Sequence, residues 1–214
     1  MASGVVRVTI PDTLAARFVV PKIPELLATY PGLKVELLSA EEPSALMQNG
    51  ADLAVHCGNL SDSRLVASKI AATRVVTVAT PEYLNRRGEV RSVEDLNDRD
   101  MIVFIQYGKP KPWFFRGDET RASRSDGKFR TANANQLHAA VMQHLGIANA
   151  PFWLFQEEIE AGTVQCLMPD AEWQKPIFVV RPEGRRSPKR VSVFVEFLRS
   201  AMKTLPQQYS AIEF

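Results

Sequence analysis

The chain has 214 residues, 45% of them hydrophobic, 23% charged and 8% aromatic, with 11 Gly and 14 Pro. That composition excludes collagen-like, mucin-like and disordered classes and suffices for one sizeable core or two smaller ones. Twenty-six Lys and Arg against 24 Asp and Glu leave a net charge of +2, too small by itself to mark a nucleic-acid-binding surface.

Val6, Val8 and Ile10 alternate with Arg7 and Thr9, the period of a half-buried strand. Pro11-Asp12-Thr13 turns the chain into a helical stretch in which Phe18, Ile23, Leu26 and Leu27 can share a face. Pro21 and Pro24 predict a kink there, and Pro31-Gly32 ends it. Residues 33–38 and 52–57 read as strands, and Ser44 between them is placed to cap a short helix that stops at Asn49-Gly50. This β-α-β-α-β order, with helix-sized connections, predicts parallel strands with covered faces.

Residues 64–80 read as two strands with a break at 71–73. Pro81 suits the first position, and Gly88 the end, of a helix over 82–87, and Ser92 with Asp95 has capping-box spacing. Residues 101–105 form an apolar run of the buried-strand type. Residues 113–116 and 128–130 flank a polar segment, which predicts a hairpin; Trp113, Phe114 and Phe115 are expected to pack in a core rather than stack on a ligand. Asn135 is placed to open a helix over 136–145 closed by Gly146, and 151–161 reads as another closed by Gly162. Strands are predicted over 164–168 and 177–181. In the last helix Val191, Phe194, Val195, Leu198, Ala201, Met202 and Leu205 follow the spacing of one buried face.

The chemistry-bearing motifs are few. Neither a Walker A loop, a GxGxxG turn nor a GxSxG elbow occurs. His138 and His144, six apart on one predicted helix, point to different faces and cannot chelate a metal together. His56 and Cys57 are neighbours on a strand, so their side chains diverge instead of forming a nucleophile–base pair. Cys57 and Cys166 stand alone and read as reduced thiols in a cytoplasmic protein. Asn59-Leu60-Ser61 matches a glycosylation sequon, without consequence in that compartment. The basic run over 181–190 reads as a solvated loop. No secretion signal precedes the first strand, and no apolar run is long enough to span a bilayer. No enzyme, cofactor or metal is expected.

Five segments, in order, carry a resemblance: YPGLKVEL (30–37), NGADLAVHCGNLSDSRLVASKI (49–70), TPEYLNRRG (80–88), NANQLHAAVMQHLGIANAPFWL (133–154) and SPKRVSVFVEFL (187–198). Together they resemble the effector-binding (substrate-binding) domain of LysR-type transcriptional regulators, from Val5 to about Lys203. The resemblance implies an α/β, two-lobe, type 2 periplasmic-binding-protein-like fold: mostly parallel sheets with helices on both faces, joined by two crossover hinge strands. Lobe I would comprise 1–80 plus 182–214 and lobe II 81–181, with hinges near Thr80 and Arg181. It also implies an allosteric role in transcription regulation, with a small-molecule effector held between the lobes, a small organic or aromatic acid being one class it admits. A homodimer or homotetramer is implied too, with the first helix and second strand of one subunit (14–30 and 33–38) packed on lobe II of its neighbour, for which Val19, Val20 and Leu26 offer apolar surface. Operator DNA would be reached only through an N-terminal winged helix-turn-helix absent from these residues, as in a regulatory fragment of a longer protein. A transport solute-binding protein is the alternative with the same fold.

In such a fold, ligand contacts come from the carboxyl ends of strands and the starts of helices, where backbone N–H groups and the helix dipole favour an anion. On this sequence those positions are Thr13 and Leu14 after the first strand and Ala40 and Glu41 after the second. In lobe II they are Gln106, then Asn133 and Asn135 before a helix, with Pro151 and Phe152 as an apolar wall. Thr13 also suits a plain N-cap, and Glu41 would oppose an anion at its own loop.

Overall fold

The computed structural model describes residues 2–39, 50–60, 65–116, 127–183 and 187–206. In chain order its first half carries β1 (Gly4–Ile10), α1 (Asp12–Leu14), α2 (Ile23–Thr29), β2 (Leu33–Ser39), β3 (Leu53–Cys57), β4 (Leu65–Ala79) and α3 (Pro81–Arg87). The second half carries β5 (Ile102–Gln106), β6 (Lys109–Pro110), β7 (Phe129–Thr131), α4 (Ala134–Met142), β8 (Ala148–Pro151), α5 (Gln156–Glu160), β9 (Gln165–Leu167), β10 (Trp173–Pro182) and α6 (Lys189–Met202). The chain forms two compact units, Met1–Ala72 with Lys175–Phe214, and Thr73–Gln174. It passes from one to the other within β4 and returns within β10. The helix expected from Ser44 to Asn49 falls outside the described residues.

In the first unit β1 pairs in parallel with β2 and with β3, and β3 pairs antiparallel with β10, giving the order β2-β1-β3-β10. Val6, Val8 and Ile10 of β1 are buried and Arg7 is exposed, as their alternation requires, but Thr9, expected outward, is buried as well. α6 covers this strand with Val191, Phe194, Leu198, Ala201 and Met202, all buried.

The first helical stretch differs from its expectation. α1 runs into a π-helical turn, Ala15–Val19, then a 3-10 turn, Val20–Lys22, before α2 begins. The wider π turn shifts the register by part of a turn, so Leu14, Ala15, Val19 and Leu26 face inward, while Phe18 and Ile23 are half-buried and Leu27 is exposed. Val19 and Leu26 are therefore core residues and leave no spare apolar surface; Val20, Leu27 and Leu38 are the exposed ones. Pro21 and Pro24, each lacking an amide donor, fall where the helix type changes.

In the second unit the final residues of β4 pair antiparallel with β8 and β9, and β5 is flanked by β6, antiparallel, and β7, parallel. β4 is one continuous strand, not two with a break at 71–73. Ala71, Ala72 and Thr73 include no Gly or Pro to interrupt pairing; what changes there is burial, from partly exposed residues to the fully buried 75–79. Among the described residues, 113–116 and 128–130 do not pair as the expected hairpin. β7 joins β5 instead, and the tight turn is Tyr107-Gly108, both in the left-handed region as a two-residue hairpin demands. Trp113 and Phe115 pack in a core with Tyr83, Leu84, Leu96 and Ile147, and Phe114 meets Trp173 edge-on at 5.6 Å.

Three further boundaries move. α4 opens at Ala134 and ends at Met142, with His144 turning out of the helix at φ 56°, so His138 and His144 do not share it. Gly146 serves a close backbone approach: a Cβ there would lie 2.1 Å from the Asp100 carbonyl, beside the 2.9 Å bond from the Ile147 amide to the same oxygen. The helix expected over 151–161 begins only at Gln156, because Pro151 ends β8, whose one ladder partner on that side is β4; an edge position tolerates its missing donor. At 92–95 only the returning half of the capping box forms, the Asp95 carboxylate accepting from the amides of Arg91 and Ser92 at 2.8 and 2.9 Å. These bonds hold Asp95 below the usual carboxylate range. α3 meets its expectation, with Thr80 as N-cap accepting from the Tyr83 amide. No helix among the described residues is long and apolar enough to cross a membrane.

Candidate functional site

Parallel pairing aligns the carboxyl ends of strands, and in each unit this gathers several candidate residues on one edge. In the first unit β1, β2 and β3 all end on the same edge, at Ile10, Ser39 and Cys57. Thr13 follows directly, half-exposed on α1, whose opening amides have no preceding turn to accept them. Pro11, with an extended backbone, is the N-cap, so Thr13 is not; its hydroxyl is not used for capping. Leu14 is fully buried, so its side chain belongs to the core and only its backbone faces the edge. Ala40 and Glu41 lie outside the described residues.

In the second unit β7 runs parallel to β5, and the parallel bridge between Met101 and Ile147 sets the start of β8 beside the start of β5. The carboxyl ends of all three therefore lie on one edge, which brings together Gln106, the start of α4 and Pro151. Gln106 is half-exposed. Asn133, not Asn135, caps α4: its Oδ1 accepts from the amides of Asn135 and Gln136 at 2.9 and 3.2 Å. An N-cap must stand outside the helix to reach back to it, and Asn135 is already in the first turn, exposed, with its side chain directed to no capping task. Phe152 is buried, with the Arg74 guanidinium 4.7 Å from its ring centroid, so it offers no open wall; Pro151 is half-exposed.

Other titratable groups make contacts inside their own unit. His138 contacts Glu158 at 2.7 Å and stacks on Phe155, tying α4 to α5. His144 Nδ1 lies 2.7 Å from the Thr80 hydroxyl and its Nε2 3.1 Å from Glu82. His56 Nε2 lies 3.2 Å from the Asn59 carbonyl. In the basic run, Arg181 donates to Ser187 and Arg190 to the Val5 carbonyl and Asp52. Arg74 pairs with Glu172 at 2.9 Å; burial nevertheless raises the Glu172 carboxyl above its ordinary range, the guanidinium opposing this only in part. Burial, helped by the Glu172 charge, pushes the Cys166 thiol up to about 11, so it is a thiol at neutral pH and a poor nucleophile. No cluster of three His, Cys, Asp or Glu side chains among the described residues suits a metal ion.

One residue outside the sequence-based candidates sits on the first unit's edge. Lys175 is buried at the start of β10, on the same strand face as Ile177 and Val179. The strand was expected to start only at Ile177. The signal for an inward lysine was nonetheless present, as the alternation of 175, 177 and 179.

Comparison with known proteins gives one answer. The profile of the LysR substrate binding domain matches residues 1–203. The chain is 30% identical over 208 residues to the HTH-type transcriptional regulator PtxR of Pseudomonas aeruginosa, covering 95% of this chain and 66% of that protein. It is 26% identical over 205 residues to the uncharacterized HTH-type transcriptional regulator YhjC of Escherichia coli, covering 94% and 69%. The chain thus spans about two thirds of the length of these relatives, which are transcriptional regulators by name rather than enzymes or transport proteins. Among solved structures, the regulatory domain of CrgA from Neisseria meningitidis superposes with a TM-score of 0.79 at 22% identity, covering 94% of this chain and 100% of that one. The fold is that of LysR regulatory domains, mixed α/β and periplasmic-binding-protein-like.

Proposed function

The chain belongs to the LysR substrate-binding-domain family, and from this premise we propose that it senses a small-molecule effector and passes the signal to transcription. The candidate contacts are Thr13 within the first unit and, taken separately, Gln106 and Asn135 within the second, with Asn133 holding the start of α4 in place. Effector binding shifts the population of domain arrangements, and that shift alters how paired subunits hold operator DNA. DNA contact belongs to a winged helix-turn-helix outside these residues, and the protein works in the cytoplasm. The observation that carries this reading is the gathering of half-exposed Thr13, and separately of Gln106 and the start of α4, at the carboxyl edges of parallel strands, where open α/β sheets take ligands.

A thermal-unfolding screen against small metabolites, organic and aromatic acids included, tests it. A ligand at 100 times its Kd adds about 2.7 kcal/mol of stability. Thr13→Ala and Asn135→Ala are each expected to weaken such a ligand at least tenfold while leaving the unliganded melting temperature within a few degrees. A ligand whose effect survives both substitutions undiminished binds elsewhere and overturns the assignment.

The chain also assembles, as a homodimer or homotetramer, through its first helical stretch and β2. Val20, Leu27 and Leu38 on these segments are large, apolar and exposed, which supports the interface. Sedimentation equilibrium is expected to give a dimer or larger at micromolar concentration, and Val20→Asp with Leu27→Asp a monomer. A wild-type monomer at high concentration would sink the interface.

A further inference from the structure

We propose that Lys175 is an anion-recognition residue, its ammonium, carried on a buried stem, taking the carboxylate or other oxyanion of a small acidic effector at the carboxyl edge of the first unit's strands. The inference deepens the effector-binding reading and rests on it.

Lys175 is 6% exposed, and among the described residues no other lysine or arginine is so deeply buried. No described residue forms a hydrogen bond or ion pair with its ammonium. Nζ is nevertheless not sealed from solvent, so the charge sits at the end of a buried stem, where a ligand can reach it. The position gives no packing reason for a charge: it shares its strand face with Ile177 and Val179, where methionine would supply the same stem without the charge.

The backbone is shaped around this side chain. Gly58, just past the end of β3, has φ +119°, a region closed to ordinary L-residues. A Cβ there would lie 2.7 Å from Lys175 Cε and 3.4 Å from Nζ. Any other residue at 58 would strain the backbone, and the end of the lysine side chain would have to shift to make room for its Cβ. The slot is fixed on both sides, since the Gly58 amide donates to the Pro176 carbonyl at 2.9 Å and Ile177 is paired with Cys57.

Location completes the argument. β10 runs antiparallel to β3, so its start lies where β3 ends, on the same edge as the end of β1 and the Thr13 turn. Asp52, the carboxylate before β3, is at the opposite end of that strand and engaged by the Arg7 amide and the Arg190 guanidinium. It cannot serve as the counter-charge. An acidic ligand reaching this edge would meet the Lys175 ammonium.

Lys175→Met tests the proposal because it keeps the stem and removes the charge. Thermal unfolding of the full chain is followed with sodium acetate, succinate, benzoate and inorganic phosphate, at constant ionic strength against sodium chloride. Phosphate stabilises proteins generally, so the readout is the wild-type response minus the variant's. At least one of these anions is expected to raise the wild-type melting temperature saturably and to bind Lys175→Met at least tenfold more weakly, while the variant is no less stable in chloride. With 13Cε-labelled lysine, the resonance missing from Lys175→Met should move with the same anion. Equal responses in the two proteins, or no saturable wild-type response to any of the four, overturns the proposal. A response lost in Thr13→Ala but kept in Lys175→Met overturns it while leaving the effector reading standing.

Discussion

Replacing Phe194 with alanine is expected to lower folding stability by about 3–5 kcal/mol, the usual cost of emptying a buried aromatic site. The ring is fully buried on the inner face of α6, where the helix lies on β1 and the π-helical turn. Val191, Leu198 and Met202 repeat on the same face one turn or two away, so they are fixed by their own contacts and cannot close the gap. The better helix propensity of alanine returns only a few tenths of a kcal/mol. Urea denaturation followed by circular dichroism checks the value, with Phe197→Ala as the control. Phe197 is half-buried and its ring lies 5.3 Å from that of Phe194, so its loss should cost clearly less. Equal costs for the two would mean that α6 is not seated as described.

That α6 face was legible because the spacing of seven apolar residues admits one reading, and the same holds for β1. In both, the period sets the buried side, with two departures: Thr9 is buried in β1 and Val195 only half-buried in α6. Where the sequence misled, the local signal was real but something else decided. The burial change at 71–73 mimics a break, because β4 crosses from one packed environment to another without leaving extended geometry. Pro151 looked like a helix start, yet strand-edge geometry accepts proline equally well. Around Phe18, a single π turn displaced the inward face by one residue, an event that no periodicity analysis at 3.6 residues per turn detects.

The candidate site was legible in a coarser sense. The parallel β-α-β-α-β order implies the edge on which Thr13 stands, and the choice of Asn133 and Asn135 marked the start of α4, although their roles are exchanged: the cap is the first and the exposed side chain the second. The burial of Phe152 was not legible, because its cover, Arg74, is distant in sequence, at the other end of a long-range contact. Lys175 escaped for a similar reason. Its slot depends on Gly58, more than a hundred residues earlier, and only the pairing of β3 with β10 makes them neighbours.

Arg74→Met is the substitution expected to show the largest dependence on pH. Arg74 and Glu172 contact each other at 2.9 Å with side chains only 14% and 17% exposed, and the guanidinium also lies over the Phe152 ring. Removing one partner of a buried pair typically costs 3–5 kcal/mol, because the other charge is left desolvated; the residual solvent access here places the expectation at the lower end, about 3 kcal/mol. The folded-state pKa of Glu172 is already raised by burial, so the folded protein binds this proton more tightly than the unfolded chain. Its contribution to stability is therefore full below the unfolded pKa and is lost as pH rises through the folded one. Without Arg74 the folded pKa rises further, and the loss extends to higher pH. Denaturation midpoints at pH 5 and pH 7.5 should show a larger penalty for Arg74→Met at the higher pH. The double variant Arg74→Met with Glu172→Met is expected to recover most of it, since an apolar pair leaves no charge unsolvated. If the double variant is as unstable as the single one, the arginine acts through its packing on Phe152 and not through the carboxylate.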